Sequence, residues 1–144
     1  MPHLFFTKIA SEQLELCQRE CHGDFDQGPV NANHIEQWCN KKRAIKRHEV
    51  SEQIWFKTCT QGYITELHFH PDGRVDEFTL FDRFHINGHW QLRHGILEVV
   101  LFKAENQYKF QVIANRIHPV HSAIEYKNGE RHAYLKLGQL NPSM

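Results

Sequence analysis

The sequence predicts a mainly β fold of the α+β type, in which two N-terminal helices precede an eight-stranded antiparallel up-and-down barrel. Apolar residues recur at helical spacing only within residues 1–50. From residue 53 they recur at every second position, which is typical of β-strands. Turn signals then recur at short intervals. A chain of 144 residues has the size of one domain. We therefore expect residues 1–144 to form a single domain, with the barrel over residues 53–137.

The two helices are predicted from apolar stripes and capping residues. Ser11 is placed to cap a first helix over roughly residues 12 to 22, and Gly23 is placed to end it. Asn33 begins an N-x-x-E pattern that predicts the start of a second helix, which continues to about residue 48. Since each helix carries one apolar stripe, we expect both to pack against the sheet.

The strands are predicted from alternation of apolar and polar residues between turns. We place them at 53–59, 63–70, 74–82, 87–93, 96–103, 108–115, 121–127 and 131–137. Consecutive short strands joined by tight turns form a meander. Closing that meander into a barrel would remove its exposed edges, so we favour a closed sheet.

Turn positions predict which residues face one another. The two-residue loop His94-Gly95 predicts that Trp90 pairs with Val99. The sequence HPDGR suits a three-residue loop with a left-handed glycine, which places His68 opposite Asp76.

A third hairpin is predicted at Asn-Gly, the strongest short signal for a type I′ turn. Its two-residue loop predicts that Ile124 faces Ala133 and that His132 faces Glu125. The pair of His132 and Glu125 is interpreted as a cross-strand charge pair at the surface.

Three stretches carry a family resemblance: HFHPDGRVDEF, GHWQLRHGILEVVLFK and QYKFQVIA. Together they resemble the hairpins of small bacterial lipocalin-like proteins of the calycin type. The similarity covers residues 53 to 137 and implies an up-and-down barrel with an internal ligand cavity. The two helices are equally compatible with a helix-plus-curved-sheet cone resembling nuclear transport factor 2, which is the alternative fold.

A binding module for a small apolar or amphipathic ligand is the first functional hypothesis. The ligand would be held by burial of its surface, with Tyr108 or the indole nitrogen of Trp90 fixing its orientation. Side chains of barrels this size can instead fill the interior themselves. The inward candidates for ligand contact are Phe69, Trp90, Leu92, Val99, Tyr108, Phe110 and Leu135.

A metal-dependent enzyme or metal-binding protein is the second hypothesis, and it depends on the stretch GYITELHFHPDG. Zinc needs three or four converging ligands, which Glu66, His68, His70 and Asp76 would supply across one hairpin. The alternative interpretation is a solvated hairpin with a cross-strand pair between His68 and Asp76. Outside the zinc hypothesis no cofactor is expected, and no catalytic residue is assigned.

Composition constrains partners and location. Seventeen basic residues balance seventeen acidic ones, which gives no global electrostatic basis for binding nucleic acid or a membrane. The basic run over residues 41–48 is interpreted as a solvated helix end. The N-terminus lacks the pattern of a signal peptide, so a cytoplasmic location is expected. A homodimeric interaction protein is the third hypothesis.

Overall fold

The computed structural model describes residues 11–22, 30–80 and 84–140. Gly23 and the last two residues of the predicted strand 74–82 lie outside these ranges. Within them the chain forms three helices, α1 (Ser11–His22), α2 (Ala32–Asn40) and α3 (Arg47–Ser51). The strands are β1 (Lys42–Arg43), β2 (Ile54–Cys59), β3 (Ile64–Phe69), β4 (Arg74–Thr79), β5 (His85–Arg93), β6 (Ile96–Lys103), β7 (Asn106–Val112), β8 (Ala114–Asn115), β9 (Val120–Lys127) and β10 (Glu130–Gln139).

Eight of these strands form a closed antiparallel barrel in the order β10-β2-β3-β4-β5-β6-β7-β9. The closure is made by β10 and β2, which pair from Leu135 opposite Cys59 to Gln139 opposite Trp55. Strands β1 and β8 form a separate two-stranded sheet. The predicted barrel preceded by two helices is confirmed, and this closure shows that the alternative open curved sheet is wrong.

The predicted registers of two hairpins are confirmed. Trp90 pairs with Val99, and His68 pairs with Asp76. Gly95 has a φ of 79°, as the tight loop between β5 and β6 requires. No helix in the described part of the chain is long and apolar enough to span a membrane.

The predicted register of the last hairpin is wrong by one residue. A bulge immediately before Ala133 shifts the pairing, so that Ala133 faces Glu125 and not Ile124. His132 is the extra residue and does not face Glu125. Because adjacent side chains point to opposite faces of a strand, this shift turns Glu125 into the barrel and Ile124 towards the helices.

The second helix is shorter than predicted. Its N-cap is Asn31, whose side chain accepts a hydrogen bond of 2.8 Å from the backbone N–H of His34, and not Asn33. It ends at Asn40, because the next residues pair with β8. Tertiary pairing therefore overrides the helical spacing that continues to residue 48.

The helices pack on the outer face of the barrel around an apolar cluster. Its buried members are Leu16, Cys17, Trp38, Cys39, Ile96, Ile113 and Ile124. Glu20 anchors this layer by accepting hydrogen bonds of 2.8 Å from Trp38 Nε1, Lys42 Nζ and the Tyr134 hydroxyl. Burial acts to raise the pKa of Glu20, but the charge of Lys42 and the hydrogen bonds from Lys42 and Trp38 lower it to about 2. Lys42 is 3% exposed, so the predicted solvated basic helix end is wrong here.

One end of the barrel is closed by the segment that leads through α3. Ile45 and Val50 are buried in the barrel core, and the Trp55 indole donates a hydrogen bond of 3.2 Å to the backbone oxygen of Glu49. The buried Glu49 carboxylate receives two hydrogen bonds, of 2.7 and 2.8 Å, from the Arg43 guanidinium. This bidentate pair fixes α3 across the barrel end.

His121 lies fully buried beside this closed end. Its Nδ1 accepts a hydrogen bond of 3.0 Å from the Asn115 backbone N–H, so Nε2 carries the proton and donates to Gln139 Oε1 at 2.8 Å. The imidazole is therefore neutral. Burial, the largest cause, lowers its pKa from 6.5 to about 4.

We expect His121→Gln to flatten the pH dependence of stability. The unfolded state binds a proton at His121 more tightly, so this site's stabilisation is complete above pH 6.5 and is lost as pH falls towards 4. The wild type should lose about 3 kcal/mol through this site, while glutamine keeps both hydrogen bonds without titrating. Urea unfolding at pH 7 and pH 4.5 measures the difference. His118→Gln, at an exposed site, is the control, and equal losses in wild type and His121→Gln would contradict the assignment.

Candidate functional site: the open end of the barrel

A cavity of about 480 Å³ occupies the half of the barrel away from α3. Inward side chains of all eight barrel strands line it: Lys57, Cys59, Thr65, Glu77, Thr79, Ile86, Lys103, Tyr108, Glu125, Ala133 and Leu135. Gln61, Tyr63, Phe84 and His132 complete its rim. The cavity is thus a product of barrel closure, with walls on regular strands.

Three charged side chains meet at the floor of the cavity. Lys57 Nζ lies 2.6 Å from Glu77 Oε2 and 3.5 Å from Glu125 Oε2, and the exposed fractions of the three side chains are 13%, 9% and 8%. Thr65 donates a hydrogen bond of 2.6 Å to Glu77 Oε2. Below them, the Phe110 ring centroid lies 5.4 Å from Lys57 Nζ. We call Lys57, Glu77 and Glu125 the floor triad.

The electrostatics of the floor triad keep Lys57 charged. Burial alone would lower the pKa of Lys57, but attraction to Glu77 and Glu125 outweighs it and raises the pKa. Buried charges in a hollow are typical of functional sites, because folding alone gains little from them. The floor triad therefore marks the cavity as the candidate site.

Exposed aromatic side chains flank the mouth of the cavity. Tyr63 is 70% exposed and Phe84 is 53% exposed, although both are large and largely apolar. The Lys103 ammonium lies 5.4 Å from the Phe84 ring centroid. A molecule entering the barrel would pass these rings before it reached the floor.

Three of the predicted ligand-binding residues lie at or next to the cavity. Tyr108 and Leu135 line it directly. Phe110 is buried beneath the Lys57 ammonium. Their contact with a ligand stays a prediction.

The other four predicted residues pack in or against the core, and none of them lines the cavity. Phe69, Trp90 and Val99 are buried, and Leu92 packs against the same core while partly exposed. The ring centroids of Phe69 and Trp90 are 6.0 Å apart in an edge-to-face contact. The Trp90 indole N–H already donates a hydrogen bond of 2.8 Å to the backbone oxygen of His70.

The floor triad was not among the residues selected from the sequence. Lys57 lies two residues after the inward Trp55, and Glu77 lies two residues after the inward Val75. Because side chains alternate between the faces of a strand, both positions could have been predicted to point into the barrel. The register predicted for the Asn-Gly hairpin places Glu125 on the outer face, because no clear sequence signal marks the bulge at His132.

The proposed metal ligands lie on the outer face of the barrel. His70 Nε2 lies 2.6 Å from Asp76 Oδ2, and His85 Nε2 lies 2.7 Å from Asp76 Oδ1. His68 Nε2 instead lies 3.2 Å from Glu66 Oε2. His68 is opposite Asp76 in register, but the predicted side-chain pair between them is not formed. Across the described residues, no group of three or more His, Cys, Asp or Glu side chains is arranged to hold a metal ion.

A second hollow, of about 610 Å³, lies outside the barrel between α1 and strands β5, β6, β7 and β9. Polar side chains contribute much of its wall, and some of them bond one another, as Gln111 does with Glu12 at 2.7 Å. The ion pair in its wall, Arg93 with Glu98 at 3.7 Å, is more exposed than the floor triad, since these two side chains are 60% and 24% exposed. The barrel cavity is therefore the stronger candidate.

Comparison with known proteins identifies no family for this chain. It matches no protein-family model, no curated protein and no solved structure. We therefore infer function from the chemistry of the cavity.

We expect Lys57→Met to destabilise the protein by about 3–5 kcal/mol, because it leaves two buried carboxylates without their shared cation. Urea unfolding at pH 7 measures the change. Replacing all three members, by adding Glu77→Gln and Glu125→Gln, should recover most of the loss. Lys103→Met, at the exposed mouth, is the control and should change stability by less than about 0.5 kcal/mol. Wild-type stability in Lys57→Met would contradict the described pairing.

Proposed function

We propose that the protein is a lipocalin-like binding module that holds a small amphipathic molecule in the cavity at the open end of its barrel. The observation that carries the proposal is a hollow of about 480 Å³ with walls from all eight strands. Sites for small molecules typically measure roughly 300–1,000 Å³ and combine apolar walls with a few polar groups.

The walls of the cavity supply the apolar part of such a site. Ile86, Ala133 and Leu135 contribute aliphatic surface, and Tyr108 contributes a ring with a hydroxyl group. Burial of apolar ligand surface against them is favourable by about 25 cal/mol per Å². The floor triad supplies the polar groups that would orient the ligand.

The two halves of the barrel are packed differently, as expected for a barrel that binds a ligand and not for one whose interior is filled by its own side chains. Trp55, Phe69 and Trp90 fill the half next to α3, with ring centroids of successive pairs 5.8 and 6.0 Å apart. The other half has no comparable filling among its described side chains and contains the cavity. A preformed site on paired strands also reduces the ordering cost of binding.

The neutral, polarity-sensitive dye Prodan tests this proposal. Its emission should shift to the blue on mixing with the protein, and Ala133→Trp should weaken binding at least tenfold, because the indole fills the cavity. Asn87→Trp, at an exposed position of β5, is the matched control and should bind like the wild type.

Thermal unfolding of both variants is measured in parallel, so that loss of binding is separated from loss of fold. Failure of Prodan to bind the wild type, or equal binding by a folded Ala133→Trp variant, would contradict the proposal.

A further inference from the structure

The two carboxylates of the floor triad are unequally satisfied. Glu77 Oε2 has two close donors, Lys57 Nζ at 2.6 Å and Thr65 Oγ1 at 2.6 Å. In the described part of the chain, the contact of the Glu125 carboxylate with a donor is the single one to Lys57, at 3.5 Å. That distance is beyond the usual range for a hydrogen bond to nitrogen.

Glu125 is nevertheless at least as buried as Glu77, since their side chains are 8% and 9% exposed. Leaving a buried acceptor without a close donor costs free energy, and the cost is larger for a charged acceptor than for a neutral one. Its carboxylate also lines the cavity. A hydrogen-bond donor on a ligand would therefore gain more free energy by binding to Glu125 than by binding to Glu77.

The charge of the floor triad selects the kind of donor. With both carboxylates ionised, Glu77 and Glu125 contribute two negative charges against the single positive charge of Lys57. A ligand cation would neutralise this excess, whereas a ligand carboxylate would add to it in a poorly solvated place. Lys103 and His132 lie at the rim and do not share in the close contacts of the floor.

The wall next to Glu125 suits the apolar part of the same ligand. Ala133 is directly opposite Glu125 on β10, and Leu135 follows on the same inward face. Tyr63 and Phe84 extend this surface to the mouth. A cationic group at Glu125 would thus continue into an apolar body that points out of the barrel.

We propose that the cavity selects an amphipathic primary amine, whose ammonium group donates hydrogen bonds to the Glu125 carboxylate while its aromatic or aliphatic body fills the space between Leu135 and the mouth. The inference rests on the proposed binding function and names the chemical class of its ligand. Lys57 holds Glu77 in place and leaves Glu125 for the ligand.

Three probes with one skeleton test the selection: phenylpropylamine, phenylpropanol and phenylpropanoate. Isothermal titration calorimetry at pH 7 should show the amine binding roughly 10- to 100-fold more tightly than the alcohol, as a charge-assisted hydrogen bond predicts. The carboxylate should bind most weakly. This comparison uses the unaltered protein and does not depend on any variant.

Glu125→Gln tests whether this carboxylate recognises the amine. The variant keeps the close pair of Lys57 and Glu77, so we expect it to fold, which thermal unfolding checks, while its preference for the amine over the alcohol falls below about threefold. Glu66→Gln, on the outer face of the barrel, is the matched control and should keep the full preference. Retention of the preference in Glu125→Gln would overturn the assignment to Glu125.

The remaining outcomes separate this inference from the proposed function. Equal binding of amine and alcohol, with Prodan still excluded by Ala133→Trp, would overturn amine selection alone. Tightest binding of phenylpropanoate would also overturn it, and would make Lys57 the recognising group. Failure of Prodan and all three probes to bind would overturn both proposals.

Discussion

The antiparallel pairing of β10 with β2 is the constraint on which the rest of the structure depends. Closure leaves the eight strands with one shared interior, so each strand must present alternate residues to it. Along β2 the inward residues change from the large, apolar Trp55 at the closed end to the charged Lys57 and then the small Cys59 at the open end. This gradient, together with the apolar segment at α3, determines where the barrel is filled and where it stays hollow.

Close approach between strands β5 and β6 imposes a second requirement, at Gly88. A Cβ atom at Gly88 would lie 1.8 Å from the backbone oxygen of Val100 on the neighbouring strand. Such contact cannot be relieved without moving the backbone. Gly88 therefore has a steric reason to be glycine, and it lies two residues before Trp90, which helps to fill the closed half.

The sequence was sufficient for the barrel and for the registers of the hairpins at HPDGR and His94-Gly95, because turn geometry and side-chain alternation are local properties. It failed where distant contacts decide the outcome. Lys42 and Arg43 continue a helical pattern, yet β8 and the carboxylates of Glu20 and Glu49 draw them into other structure. The bulge at His132 is a separate case, because it shifts the register directly after the Asn-Gly turn and so reverses the face predicted for Glu125.

The floor triad is difficult to explain as a device for stability. Replacing buried ion pairs with well-packed apolar residues is often neutral or stabilising, and the closed half shows that this barrel accommodates tryptophan and phenylalanine in its interior. Charges at the floor also keep the space above them from being filled by an apolar side chain, because that side chain would remove their remaining solvation. The same three residues therefore account both for the persistence of the hollow and for its polarity. A binding site needs both properties, whereas a purely structural core needs neither.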